Sequence, residues 1–364
     1  MSALLAVLLA PAPLGQAVPV VRPIYFPTAL YEVDLRERTC SLVVIGMGND
    51  DTTVGSPEYG PGDRRLAFDA THGQEWADAR VGYWDRESGQ ITPLAMANFA
   101  SWTPDGATIL AQNLMTDRRL VTLPVDQPGE KTAMDLKLSQ PALSPDGRYL
   151  LTQEADDSPD GSTVRFGTFE SIGTSTLEFP YLLRSKVKFA QRPADTLPDG
   201  RPILATIVLS AADVADPSPQ PSWTGVKTGL FAADIVPVAK PADGANPDLS
   251  KLTTRPRLLL EDRDDFTLLS YPTGAYKTDA VAFRYWKADG RYRIGLMRQS
   301  KPDEFETIID APPEVYLAQL AMGRTGRYLA FKSPLFHLDP VDGQLLEAED
   351  ILVPTWADGG SLTD

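Results

Sequence analysis

Two histidines, one cysteine and three acidic clusters are the residues of this sequence that most invite a chemical reading. His72, in DATHGQEW, has Glu75 and Asp78 within a few residues, the composition of a general base with a carboxylate partner. Its place between turn residues fits a solvated loop histidine better. His337, in LFHLDP, alternates with apolar neighbours as a hydrogen-bonded packing residue of a strand does. The two fall in well-separated segments and do not by themselves make a metal site. The clusters NDDTT at Asn49, QEADDSPDGS at Gln153 and EDRDD at Glu261 hold the carboxylates and carbonyls that Ca²⁺ favours, yet none matches the twelve-residue calcium loop. An acidic soluble surface is the simpler reading, so no cofactor is expected and calcium is the one ion the residues suit. There is no G-x-S-x-G, G-x-G-x-x-G or Walker loop. GMGNDDTTVG at Gly46 follows a strand-like run without opening a helix, so it does not read as a phosphate site. No catalytic residue is expected.

Bulk composition narrows the classes further. The 364 residues carry 34 Lys and Arg against 49 Asp and Glu, a net charge of -15 that repels nucleic acid and anionic lipid. The lone Cys40 cannot form an intramolecular disulfide, and its flanks do not suit a lipid anchor. Residues 1–17, MSALLAVLLAPAPLGQA, show a short apolar run, a proline pair and small residues before Ala17, the pattern of a secretory signal peptide, although no basic residue precedes the run. No apolar segment approaches the roughly 20 residues needed to span a bilayer, so stable membrane insertion is not expected. A periplasmic or secreted protein, with residues 18–364 as a single domain, is the resulting expectation.

The elements that must position any site are strands. Period-two apolar runs, among them 107–112, 148–152, 202–209, 280–285 and 327–332, recur between Pro, Gly, Asp and Asn clusters. FASWTPDGATILAQ, QPALSPDGRYLLTQ and LAQLAMGRTGRYLAFK share one plan: an apolar stretch, a turn centred on glycine, and a second apolar strand. Pro-Asp-Gly suits that turn because proline presets φ, aspartate bonds locally and glycine takes the positive φ. The turn aspartates Asp63, Asp105, Asp146 and Asp199 lie 42, 41 and 53 residues apart, the length of a four-stranded propeller blade. A second hairpin follows in each unit, as in RVGYWDRESGQITPL after Phe68. Residues 22–45 read as strands b, c and d lacking strand a, and ILVPTWADGGSLTD from Ile351 reads as that missing strand. The expected fold is thus all-β, a seven-bladed β-propeller with six or eight blades as alternatives, closed by pairing of C-terminal and N-terminal strands.

SPDGRYLLT, TPDGATILA, LPDGRPILA and WADGGSL make the sequence resemble the TolB-like β-propeller repeat family, related in shape to WD repeats. GRTGRYLAF, PGDRRLAF and GAYKTDAVAF depart from the motif at the turn. The resemblance implies a secreted or periplasmic propeller that binds proteins or glycans, or one attached to a hydrolase. A propeller places the b–c and d–a connections on one face, and the long connections 46–59, 70–80, 153–163 and 210–228 all belong to it. The 239–250 insertion belongs to the opposite face. Long loops on a rigid scaffold commonly carry binding. The candidate binding residues are therefore Asp50, Asp51, Glu75, Trp76, Asp78, Asp156, Asp157 and Trp223, carboxylates and tryptophans suited to sugar hydroxyls or to a cationic partner. The function expected is non-catalytic binding of a protein or cell-envelope glycan. The alternative is a metal-assisted lyase or lactonase acting on a carbohydrate-type substrate at the same face.

Overall fold

The computed structural model describes residues 28–47, 53–72, 78–113, 118–154, 163–172, 181–183, 187–213, 228–237, 252–312, 315–334 and 355–356. The segment read as a signal peptide lies outside them, as do His337 and the 239–250 insertion. No helix among the described residues is long and apolar enough to cross a membrane.

The strands assemble as six antiparallel sheets, the blades of a β-propeller. Blade one is Thr53–Tyr59, Arg65–Thr71, Arg80–Asp85 and Ile91–Met96; blade two is Asn98–Trp102, Thr108–Asn113, Arg119–Pro124 and Thr132–Lys137. Blade three holds Ala142–Leu143, Leu150–Glu154 and Thr163–Gly167. In blade four the short strands Tyr181–Leu183 and Lys188–Ala190 both pair with Ala205–Asp213, followed by Thr228–Pro237 and Leu252–Glu261. Blade five is Phe266–Gly274, Ala280–Lys287, Tyr292–Arg298 and Lys301–Asp310, with Thr355–Trp356 added at its edge. Blade six joins the N-terminal strands of the described residues to the hairpin Ala318–Pro334. Ala318–Met322 and Tyr328–Pro334 are its inner strands, and Thr28–Asp34 and Thr39–Val44 its outer pair, with Tyr31 opposite Phe331.

This arrangement corrects two expectations. The N-terminal strands are the outer two of a sheet rather than the outer three, and they pair with Tyr328–Pro334; the described C-terminal pair Thr355–Trp356 lies instead on Ile309 and Asp310 of blade five. A count of seven takes the unit from 313 and the N-terminal fragment as a blade each, whereas they are halves of one sheet. The physical reason is the hairpin Ala318–Pro334, whose outer edge needs a partner and finds it in Thr28–Asp34.

Apolar side chains leave both faces of each sheet, so the period-two pattern sorts residues between two neighbours rather than between core and water. In Thr28–Asp34, Ala29, Tyr31 and Val33 pack toward blade five while Leu30 packs toward blade one. Six buried clusters follow this rule, one at each seam, and their order returns to its start. Cys40 is one of these packing residues: burial, reinforced by the charge of Glu32, pushes its thiol up to about 12.

The Pro-Asp-Gly turns form as the residues demand. Gly106, Gly147 and Gly200 have φ of 70°, 71° and 83°, and their N–H groups donate to Thr103, Ser144 and Leu197 O. Asp105, Asp146 and Asp199 accept from the N–H two residues on. The third turn sits inside the long a–b connection of blade four rather than closing a tight hairpin. Successive hairpins also touch: a Cβ on Gly147 would stand 2.7 Å from Pro104 Cγ, while one on Gly290, at φ 84°, would meet nothing within 4 Å. Gly147→Ala should therefore lower the unfolding free energy by about 1–3 kcal/mol, and by more than Gly290→Ala, in urea titrations. Equal losses would contradict hairpin contact as the source.

Candidate functional site

In four blades the inner strand breaks its ladder at the same place. Gly55, Asn98, Ser270 and Ala318 pair with Asp69, Gln112, Arg284 and Lys332 on the second strand, and pairing resumes three residues later at Glu58, Ser101, Thr273 and Ala321. Between the flanking pairs two inner-strand residues thus oppose one on the partner, which is a β-bulge. The residue after each paired one has positive φ: Ser56 at 49°, Phe99 at 55°, Tyr271 at 51° and Gln319 at 48°, and Gln140 of blade three is at 47°.

Second-strand side chains from the preceding blade satisfy the backbone that these bulges disturb. Phe99 N–H donates to Asp69 Oδ2 at 3.1 Å and Gln140 N–H to Gln112 Oε1 at 3.3 Å. Val187 N–H, at the corresponding place in blade four, donates to Gln153 Oε1 at 2.9 Å. Where the second-strand residue is a donor it takes a carbonyl instead: Ser210 Oγ donates to Leu269 O at 2.5 Å, and Arg284 Nη1 to Leu317 O at 2.9 Å. At the seam of blades six and one the pattern changes, for Ser56 N–H donates to Gln319 Oε1 at 2.9 Å and Lys332 stands in the field of Asp69. Burial drives Lys332 down to about 8, against the opposing pull of Asp69.

The axis itself is spanned by charge. Lys188 Nζ of blade four meets Glu58 Oε2 of blade one at 2.6 Å, and these blades stand three apart in a cycle of six. Arg324 of blade six lies over the ring of Tyr276 from blade five and donates through Nη2 to Trp102 O of blade two at 3.1 Å. Asp63, fully buried, accepts from Arg324 N–H at 2.6 Å and from Thr325 N–H at 3.0 Å. On the rim, Arg327 bonds Asp34 and Arg64 bonds Asp85. Both carboxyls lie below the ordinary range, because these guanidiniums and nearby backbone N–H groups outweigh the upward effect of burial.

Of the expected binding residues, Asp78 is described and exposed, next to the strand Arg80–Asp85. Asp50, Asp51, Glu75, Trp76, Asp156, Asp157 and Trp223 lie outside the described residues. The strands flanking them show where their connections leave: 45–52 joins an outer strand to the next inner one, and 72–79, 155–162 and 214–227 join second to third strands. All four therefore depart from the same ends of the sheets. His72 is exposed at the foot of 72–79. Among the described residues no three His, Cys, Asp or Glu side chains gather as a metal site, and Glu261–Asp265 do not converge.

Comparison with known proteins adds no chemistry. No family model and no characterised protein sequence matches the chain. Among solved structures, TolB from Acinetobacter baumannii is similar at 13% identity and a TM-score of 0.43, over 91% of this chain and 66% of that one. A prolyl endopeptidase is similar at 13% identity and 0.44, over 87% of this chain and 45% of that one. The β-propeller domain of the Trilobed protease from Pyrococcus furiosus is similar at 10% identity and 0.43, over 82% and 96%. This chain spans just under two thirds of the first and less than half of the second. Likenesses this remote assign no activity.

Two outcomes follow from the seam. Gln153→Leu strips the partner from the buried Val187 N–H and should cost about 1–3 kcal/mol, against little for the exposed Gln127→Leu, in chemical denaturation. Lys332 gives a pH signature. The unfolded amine holds its proton to about 10.5 and the folded one releases it near 8, so between these values the unfolded chain binds more protons and stability rises with pH. Cys40, whose folded thiol stays protonated longer than the unfolded one, acts in the opposite sense. The difference in stability between the native chain and Lys332→Met isolates the lysine: it should grow in favour of the native chain from about pH 8 to 9.5. A constant difference would contradict the burial of this amine.

Proposed function

We propose that this chain is an exported, non-catalytic β-propeller that binds a protein or a cell-envelope component through the face carrying the connections 45–52, 72–79, 155–162 and 214–227. The observation that carries the reading is the common departure of these four long connections from one end of the sheets; the opposite end carries two long connections, 191–204 and 238–251, both in blade four. Their acidic and tryptophan content gives the face a chemistry suited to hydroxyl-rich or cationic surfaces. The interior supports the same reading. Asp69, Gln112, Gln153, Ser210 and Arg284 are engaged in holding one blade to the next, and Glu58 and Lys188 are engaged with each other across the axis. Groups held in this way serve a rigid display of loops. Export rests on the signal-peptide pattern of residues 1–17.

The test compares two sets of substitutions at matched fold stability. Asp50, Asp51, Glu75 and Asp78 changed to Asn or Gln, together with Trp76→Ala and Trp223→Ala, should abolish retention of envelope components by the immobilised chain and leave its melting temperature within a degree or two. Neutralising Glu37, Glu87 and Asp126 on the opposite face and rim should leave retention intact. Retention that survives the first set, or that is lost with the second, would move the binding surface elsewhere.

A further inference from the structure

On a chain of net charge -15, one open groove of about 570 Å³ is lined by three guanidiniums and a single carboxylate. It lies at the seam of blades six and one. Arg64 comes from the a–b hairpin of blade one, Arg86 and Glu87 from the c–d turn of the same blade, and Arg327 and Tyr328 from the a–b hairpin of blade six. These turns leave the sheets at the end opposite to the four long connections.

Carboxylates that do not line the groove hold the arginines in place. Arg86 bonds Glu32 through Nε at 3.0 Å and Nη2 at 2.5 Å, and its Nη1 donates to Asp63 O, so each of its nitrogens is engaged. Its guanidinium carbon stands 3.5 Å from the ring centre of Tyr328, and that of Arg327 stands 4.9 Å from the same ring. Arg327 gives Nε and Nη2 to Asp34 at 3.0 and 2.6 Å. Arg64 gives Nε to Asp85 at 2.9 Å, and its Nη1 is 2.8 Å from Glu87. Nη1 of Arg327 and Nη2 of Arg64 are thereby left with no acceptor among the described residues. Glu87 differs from the anchoring carboxylates. Its side chain is 68% exposed, against 8% for Glu32 and 9% for Asp85, and an ion pair so open to water contributes little. Glu37, the other exposed carboxylate nearby, is 4.0 Å from Arg327 Nη2.

We propose that this groove is a phosphate-binding site, in which Arg64 and Arg327 reach one phosphate group from the two blades and Glu87 is the side chain it displaces. Two guanidiniums arriving from different blades suit a tetrahedral oxyanion, which accepts along several directions. A planar carboxylate is already satisfied by one guanidinium, bidentately. The ligand is a phosphate group, free or carried on a larger molecule. The inference concerns the turn end of the propeller and does not depend on the binding reading.

Inorganic phosphate is the probe, titrated calorimetrically into the full chain at constant ionic strength, with glycerol phosphate and succinate as further arms. Phosphate should bind, and succinate at least tenfold more weakly. Glycerol phosphate binding tighter than phosphate supports the site with an ester as its ligand, and the reverse order supports it with the free ion. Glu87→Gln should tighten phosphate at least threefold. Arg64→Gln and Arg327→Gln should each weaken it at least fivefold, whereas Arg148→Gln, at an exposed arginine of blade three, should leave it unchanged. Asp85 keeps Arg65 at 3.4 Å when Arg64 is changed, so Arg64→Gln decides the matter should Arg327→Gln fail to fold. No binding of phosphate, equal affinity for succinate, binding that survives Arg64→Gln, or an unchanged affinity in Glu87→Gln would overturn the proposal.

Discussion

A positive-φ residue in each of several inner strands leaves backbone groups that the sheet ladder cannot satisfy, and a polar side chain from the preceding blade supplies the partner. The remaining features of the interior depend on that constraint. A buried N–H without a partner costs about as much as a favourable seam residue gains. In blades one to five the polar residue in the middle of the second strand is therefore tied to the inner strand of the next blade. Asp69, Gln112 and Gln153 accept where the bulge presents N–H, and Ser210 and Arg284 donate where it presents a carbonyl. The exchange of acceptors for donors partway round keeps the bond across the seam, with side-chain identity following the atom to be satisfied.

The two cationic members of this series show what the arrangement costs. Arg284 carries a full charge into a seam with no carboxylate in reach among the described residues, and tyrosine faces take the carboxylate's place. Lys332 meets the same problem by surrendering affinity for its proton. Arg284 bonds from blade five to blade six, and Lys332 faces Asp69 of blade one from blade six. The axial pair Lys188–Glu58 and the Asp63 clamp on Arg324 and Thr325 add ties between distant parts of the sequence.

Much of this fold is legible in the amino-acid sequence. Pro-Asp-Gly turns at a period near 42 and the second hairpins mark the blades, and the runs 107–112 and 280–285 fall within two residues of Thr108–Asn113 and Ala280–Lys287. The terminus misleads: WADGG resembles an inner-strand turn and so points Ile351–Asp364 toward the N-terminal strands, although the unit from Leu317 already holds the two inner strands of that sheet. The candidate face is legible as topology, since strand order alone decides which ends the long connections leave. The seam is written in the repeats as well. AFDA, LAQN, LTQE, VLSA, AFRY and AFKS each place a polar residue at the third position, after an apolar run. Its meaning stays hidden because a bulge has no sequence mark: Ser, Phe, Gln and Tyr all occupy the positive-φ site, where glycine would have announced it. The tyrosine faces on Arg284 bring together Tyr271 and Tyr316, 45 residues apart, and follow from no local pattern.

The central structural claim is that Thr28–Asp34 is an interior strand of the same sheet as Tyr328–Pro334. Native-state amide hydrogen exchange, read peptide by peptide across a denaturant series, tests it most directly. If the claim holds, the amides of Thr28–Asp34 and Tyr328–Pro334 exchange through one common opening, with equal free energies and equal denaturant dependence. Rapid exchange of Thr28–Asp34 while Tyr328–Pro334 stays protected would show that the N-terminal strand does not complete this blade, and the account of the closing seam would fail with it.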